Sequence, residues 1–268
     1  MNGSLRMGLA LKILLATLIG ASSAMAESSG KAGSDKLDLK KLEDKYWAAK
    51  DTDFSVVQNR TYAKDSRFFF SLSYGTLVND AYSYGRLTNG SLGYYFSERW
   101  GLELAYEKGA LSDNDSTIYL KNTYQAAPNY NKFVDYKSLN LIWVPFYSKT
   151  SFLDRSIMYF DIQFAAGLGQ MNYEIQTDPT DSASASPHAL APEKKAALGY
   201  NLDITQQLFF SEHFALRLDI KNKWSKQDLK RYQIRASETE AARSIGQITQ
   251  QDTTILLGLT YFFGSKDK

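Results

Sequence analysis

The run Thr253 to Phe263, TTILLGLTYFF, constrains the fold of this chain more than any other segment. Ile255, Leu257, Leu259, Tyr261 and Phe263 occupy every second position, with Thr254, Gly258 and Thr260 between them. Successive side chains of a strand point to opposite faces, so one face here is apolar and ends in aromatics while the other is small or polar. That pattern fits a strand with lipid on one side and a polar lumen on the other. An ordinary buried strand of a soluble sandwich is the competing explanation for the run taken alone.

The start of the chain narrows the choice. Arg6 and Lys12 precede the apolar stretch Ile13 to Ala21, and Ala24-Met25-Ala26 places small residues ahead of Glu27. Residues 1–26 therefore read as a cleavable secretory signal, and the apolar stretch is too short to span a bilayer as a helix. Losing Arg6 and Lys12 from thirty-one basic residues leaves twenty-nine against twenty-nine acidic ones. A neutral mature chain gives no support to a nucleic-acid or acidic partner. Cysteine is absent, which excludes disulfides, thiol catalysis and a lipid-modified N-terminal Cys. An exported chain without disulfides must draw its stability from its own sheet, and 14% aromatic residues, with eighteen Tyr, supply the β-formers.

Glu27 to Asp35 is small and polar and reads as a flexible leader. Leu37, Leu39, Leu42, Tyr46, Trp47 and Ala49 recur at helical spacing, so Leu37 to Lys50 is predicted as a short amphipathic helix. Packing near the periplasmic mouth or binding a partner are both open to it. Residues 27–66 form this N-terminal periplasmic segment.

From Arg67 the period becomes two. Phe68, Phe70, Leu72, Tyr74 and Val78 share one face of the first strand, and Leu92, Tyr94 and Phe96 one face of the second. Trp100, Leu102, Leu104 and Tyr106 do so in the third, and Leu139, Leu141, Trp143, Pro145 and Tyr147 in the fourth. The fifth runs from Met158 to Gly169, the sixth from Leu198 to Phe210 and the seventh from Phe214 to Lys223; the run described first is the eighth. Ser97–Arg99, Lys149–Arg155 and Ser211–His213 are short connections, and Asn79–Thr88 is intermediate. Gly109–Asp135, Gln176–Lys195 and Ser225–Gln251 are long and polar, the last with a helical turn at Glu238–Ser244. Short turns on the periplasmic side and long loops outside produce this alternation, with both termini periplasmic.

The expected fold is thus all-β: an eight-stranded antiparallel transmembrane barrel over 67–263, followed by a periplasmic tail, 264–268. Closure is required because an open sheet edge in hydrocarbon leaves peptide groups unsatisfied. Eight strands give a lumen filled by side chains.

The barrel, Arg67 to Phe263, resembles small eight-stranded outer-membrane proteins of the outer membrane protein A, X and W type. The lead-in Lys41 to Arg60, ending Val57-Gln58-Asn59-Arg60, resembles that of the outer-membrane β-barrel domain family of myxobacteria and related predatory or delta-group bacteria. Leu257, Gly258, Tyr261 and Phe263 look like the terminal signal read by the bacterial barrel-assembly machinery, although Gly264 to Lys268 follow it. These resemblances imply the outer membrane of a Gram-negative bacterium, contact with its lipid and lipopolysaccharide, and a monomer whose long loops are available to a surface ligand.

Chemistry is sparse. A lipid A deacylase would need a His beside a Ser nucleophile near the outer leaflet. His188 falls in a long loop and His213 in a predicted periplasmic turn, so no enzyme is expected. Asp113-Asn114-Asp115 lacks the Gly and distal Glu of a calcium loop, and no metal or other cofactor is expected. The strongest lead is the set of charges predicted inward: Glu103, Glu107, Asp161, Asp203, Arg217, Asp219, Lys221 and Lys223. Charges in a narrow interior need partners, and Glu103 or Glu107 is expected to meet Arg217 or Lys221. Such pairs either form a structural plug or gate a narrow conductance for ions or small solutes.

Overall fold

The computed structural model describes residues 61–124, 126–152, 156–178, 192–233 and 240–264. The expected signal, the helix Leu37–Lys50, the lead-in Lys41–Arg60 and the tail beyond Gly264 lie outside the described residues. The strands are β1 (Arg67–Leu77), β2 (Ser83–Tyr95), β3 (Trp100–Asp113), β4 (Asn131–Phe152), β5 (Ser156–Ile175), β6 (Glu193–Phe209), β7 (Phe214–Lys230) and β8 (Ser244–Phe262). Helix α1 (Asp115–Tyr124) joins β3 to β4, and a 3₁₀ turn, Glu240–Arg243, precedes β8.

Each strand pairs antiparallel with its neighbours, and β8 returns to β1 to close the barrel. The closing ladder runs from Phe69 opposite Phe262 to Leu77 opposite Thr254. Polarity is inverted relative to a water-soluble protein. Leu198 is 78% exposed, as are most of Phe68, Leu72, Leu104 and Leu168, whereas Asn89, Asp161, Asp219 and Gln207 are fully buried. An exterior of this kind is stable against hydrocarbon, where a closed ladder leaves no open sheet edge around the apolar band.

Two short turns use the same local device. Ser97 Oγ accepts from the amides of Arg99 and Trp100 at 3.3 and 3.0 Å, and Ser211 Oγ accepts from those of His213 and Phe214 at 3.3 and 2.9 Å. The repeated sequence Phe-Ser-Glu-x-aromatic, at 96–100 and 210–214, therefore encodes the chain reversal directly.

Several boundaries differ from the sequence reading. The connection after β1 is only Val78 to Tyr82, because Asp80 Oδ1 accepts from the amides of Tyr82 and Ser83 and β2 starts at Ser83. The Gly109–Asp135 segment is shortened from both sides and carries α1, whose first turn is capped by Asn114 Oδ1 accepting from Thr117 N at 2.8 Å. Strands β4 to β8 extend far past the apolar alternation. Their extensions are held by polar pairs such as Lys230–Glu193 at 2.6 Å and Lys195–Asp228 at 2.8 Å, which hydrophobic periodicity does not register. Tyr147 is also on the face opposite to the one expected. A bulge between Trp143 and Phe146 accommodates Pro145, puts Phe146 outside at 60% exposure and turns Tyr147 inward.

Candidate functional site

The lumen is stacked in three layers. At the short-turn end, Phe69, Tyr95, Ile142, Val144, Phe209 and Phe262 form an apolar cluster, with Tyr62, Tyr147 and Tyr159 packed against it. Gly93 makes room for it, since a Cβ there would come within 2.4 Å of the Phe69 ring. The segment ahead of β1 enters this layer: the Tyr62 ring stacks on Phe209 at 5.7 Å, and Lys64 Nζ lies 4.6 Å from the Tyr95 ring centroid while pairing with Asp161. Asp161 also accepts from Gln163 Nε2 at 2.9 Å, and Tyr95 donates its hydroxyl to Gln163 Oε1 at 2.9 Å.

The middle layer holds the charges. Arg217 on β7 donates from Nη1 to Glu103 Oε2 on β3 at 2.6 Å and from Nε to both oxygens of Asp219 at 2.8 and 2.9 Å. Glu103 accepts in addition from Ser91 Oγ at 3.1 Å and Asn140 Nδ2 at 3.2 Å, and Asp219 from Thr205 Oγ1 at 2.5 Å. Every charge of this triad is thus both paired and hydrogen-bonded, the condition under which buried ions are tolerated. One turn of the network further out, Lys223 pairs with Glu107 and donates to Thr254 Oγ1 at 3.2 Å. Lys221 donates to Asn89 Oδ1 at 3.3 Å, and Asp203 accepts from Asn201 Nδ2 at 2.9 Å.

The partners therefore differ in part from those expected. Glu103 meets Arg217, but Glu107 meets Lys223 rather than Lys221, because Glu107 and Lys223 lie further along their strands toward the long-loop end. The partner of Asp161 is Lys64, a residue outside the alternating strands that no periodicity singles out.

The outer layer is apolar again: Leu77, Leu87, Phe133, Tyr136, Met171 and Leu256, with Leu111 against it. Between this layer and the triad, Asn89, Glu107, Asn201, Asp203, Lys221 and Lys223 line a space of about 180 Å3 between atoms, none of it wide enough for a water molecule. Asn89 Nδ2, Glu107 Oε2 and Asp203 Oδ1 have no hydrogen-bond partner there.

At the barrel seam, Arg67 acts as a staple that sequence reasoning missed. Its guanidinium donates to the carbonyls of Ala63, Glu212, Phe262, Phe263 and Gly264, the last at 2.5 Å, tying both ends of the barrel to the β6–β7 turn. His213 belongs to the same cluster, with Nδ1 3.1 Å from the Phe262 carbonyl oxygen and 3.3 Å from Arg67 Nη2. Leu257 and Tyr261 point outward on β8, Gly258 inward, and Phe263 follows the strand, half exposed. Asp113 is held by Lys121, Lys132 and the Tyr130 hydroxyl, each at 2.6 Å, which makes it an anchor for α1 rather than an oxygen ligand awaiting calcium. Among the described residues no group of three or more metal-ligating side chains occurs.

No family model matches the chain, and no curated protein does, so the resemblance of Lys41–Arg60 to a myxobacterial family is not supported. Solved structures of similar fold are small outer-membrane barrels. The N-terminal β-barrel domain of OprF from Pseudomonas aeruginosa is 12% identical over 74% of this chain and 98% of that one, with a TM-score of 0.42. Neisserial surface protein A is 7% identical over 73% and 97%, with a TM-score of 0.40. The outer membrane protein OprG from Pseudomonas aeruginosa is 11% identical over 76% and 98%, with a TM-score of 0.38.

Proposed function

We propose that this chain is a monomeric, non-enzymatic barrel of a Gram-negative outer membrane, closed to solutes and serving a structural or surface-interaction role. The observation that carries the reading is the stacking of the lumen: among the described residues two apolar layers bracket the Glu103–Arg217–Asp219 triad, whose charges are all paired, and the space beside it is too narrow for a water molecule. Net burial of ions between dry layers fixes the relative positions of opposite walls, which is the use a rigid scaffold has for them. The exterior band of Leu, Phe and Tyr supplies the lipid contact, and the terminal strand offers Leu257, Tyr261 and Phe263 to the assembly machinery.

The long-loop end is assigned to the outside. There β4 to β8 rise past the apolar band into a polar crown, with α1 anchored by Asp113 and with Arg243 buried and donating to the carbonyls of Arg231 and Tyr232. A crown of this build presents fixed side chains to a surface ligand. A narrow conductance is the second reading, favoured by the unpartnered polar atoms of Asn89, Glu107 and Asp203, which water would satisfy once the surrounding side chains moved apart. The lipid A-modifying reading gets no support from His213, whose ring is engaged at the seam at the opposite end from the crown; His188 lies outside the described residues.

The chain has no native thiol, so single cysteines report orientation. Ser116→Cys and Gln247→Cys should react with an impermeant maleimide on whole cells, and Arg99→Cys should react only after the envelope is opened. The reverse pattern would overturn the orientation, and no fractionation with the outer membrane would overturn the location.

A further inference from the structure

The lipid-facing wall is not uniform: it has a groove at Gly90. On the outer face, Gly90 lies between Leu72 of β1 and Tyr106 of β3, with Leu92 next to it along its own strand. The gap is a cleft of about 500 Å3 whose outward walls are Phe70, Leu92, Leu104, Tyr106 and Leu139, and Lys137 stands at its rim. The recess is shallow and open toward the membrane, so it would cradle one side of a chain without enclosing it. A Cβ added at Gly90 would meet nothing within 4 Å, so the space is real and is not filled by a neighbour.

Three cations and one carboxylate stand above the groove. Lys137 sits opposite Tyr106, with Nζ 5.8 Å from that ring's centroid; Lys108 sits opposite Thr88, and Arg86 opposite Thr76, all three exposed and pointing outward. The carboxylate on this face is Asp135, opposite Lys108, and it accepts from Asn172 Nδ2 at 2.8 Å. Among the described residues, none of the three cations is in an ion pair. A hydrocarbon cleft that ends beneath three unpaired cations is complementary to an acyl chain that ends in a phosphate.

We propose that the Gly90 groove retains an acyl chain of a phosphorylated outer-leaflet lipid, the lipid A part of lipopolysaccharide, with its phosphate on Lys137 and with Lys108 and Arg86 above. This rests on the orientation proposed above, because only then do the cations lie at the outer headgroup level. The groove explains why a glycine occupies an outward position in the middle of β2, where a large apolar residue would otherwise gain lipid contact. A general film of lipid covers every outward residue; a retained molecule requires both a recess and a charge anchor, and this face provides both.

The test uses the full-length barrel, purified in detergent, with native mass spectrometry after addition of lipid A, dephosphorylated lipid A or phosphatidylglycerol. The parent should retain lipid A about tenfold better than the dephosphorylated form. Gly90→Leu fills the groove without a backbone clash and should lose that retention while keeping the heat-modifiable gel mobility of a folded barrel. Lys137→Gln should lose the preference for phosphate. Equal retention by the parent and Gly90→Leu, equal retention of the dephosphorylated lipid, or equal retention of phosphatidylglycerol would each overturn the proposal. Cell labelling tests the orientation separately, so a failed groove and a failed topology give different results.

Discussion

Arg217 on β7 meets Glu103 on β3 at 2.6 Å, a contact that spans the lumen between opposite walls of the barrel. Arg217 holds Asp219 as well, so one cation serves two carboxylates. Removing it should be the most damaging change in the layer: Arg217→Ala leaves both acids uncompensated and should cost on the order of 3–5 kcal/mol. Glu103→Leu should cost less, because Asp219 still balances the arginine, and Arg217→Leu with Glu103→Leu should recover part of the single loss. Urea unfolding in detergent reads all three; an Arg217→Ala barrel as stable as its parent would contradict the account.

The lipid-facing assignment can be tested in the same assay. Leu218 points outward from β7, between Gln206 of β6 and Leu257 of β8. Leu218→Arg places a charge in hydrocarbon and should cost roughly 2–4 kcal/mol. Neutral behaviour would mean that the exterior band does not meet lipid.

The crown should respond to acid. Burial alone would raise the Asp113 carboxyl, but hydrogen bonds from Lys121, Lys132 and Tyr130 outweigh it and hold the group down at about 2. A carboxylate lowered on folding stabilises the fold above its unfolded value of about 4 and loses that contribution as pH falls through the folded one. Protection of the α1 amides, taken relative to their intrinsic exchange rate at each pH, should therefore be equal at pH 7 and pH 5 and fall between about pH 4 and pH 2. Asp113→Asn should show faster exchange already at pH 7. Protection of α1 that is flat down to pH 2 would contradict the anchor.

The lower layer makes a prediction about the segment ahead of β1. Lys64→Met removes the partner of Asp161, and Asp161→Leu removes the acid; each alone should destabilise the barrel more than the two together. Additive losses in urea unfolding would show that the two side chains act independently.

The strand content and its faces were legible because lipid on one side imposes a strict period of two, visible in Trp100 to Tyr106 and Leu198 to Ile204. The inward charges were legible for the same reason, and with them the contact of Glu103 with Arg217, but the bond from Arg217 to Asp219 on the same strand was not. The extensions of β7 to Lys230 and of β8 back to Ser244 were hidden, since outside hydrocarbon a ladder needs only polar cross-strand partners and carries no apolar alternation. Tyr147 was misplaced because a bulge changes parity without leaving a signal beyond Pro145. Lys64 and Arg67 were unreadable as lumen and seam residues, because their roles depend on which chain ends the closed barrel brings together.

The most direct test of a sealed lumen is conductance across a planar bilayer. The refolded parent should insert and give no current steps at any holding voltage, because both apolar layers interrupt the path through the ion pairs. Opening both layers with Phe69→Ala and Leu256→Ser should produce steps, which shows that insertion occurred and that the layers were the barrier. Steps from the unaltered parent, reproducible and dependent on the salt in the bath, would contradict the closed-scaffold reading and establish a channel.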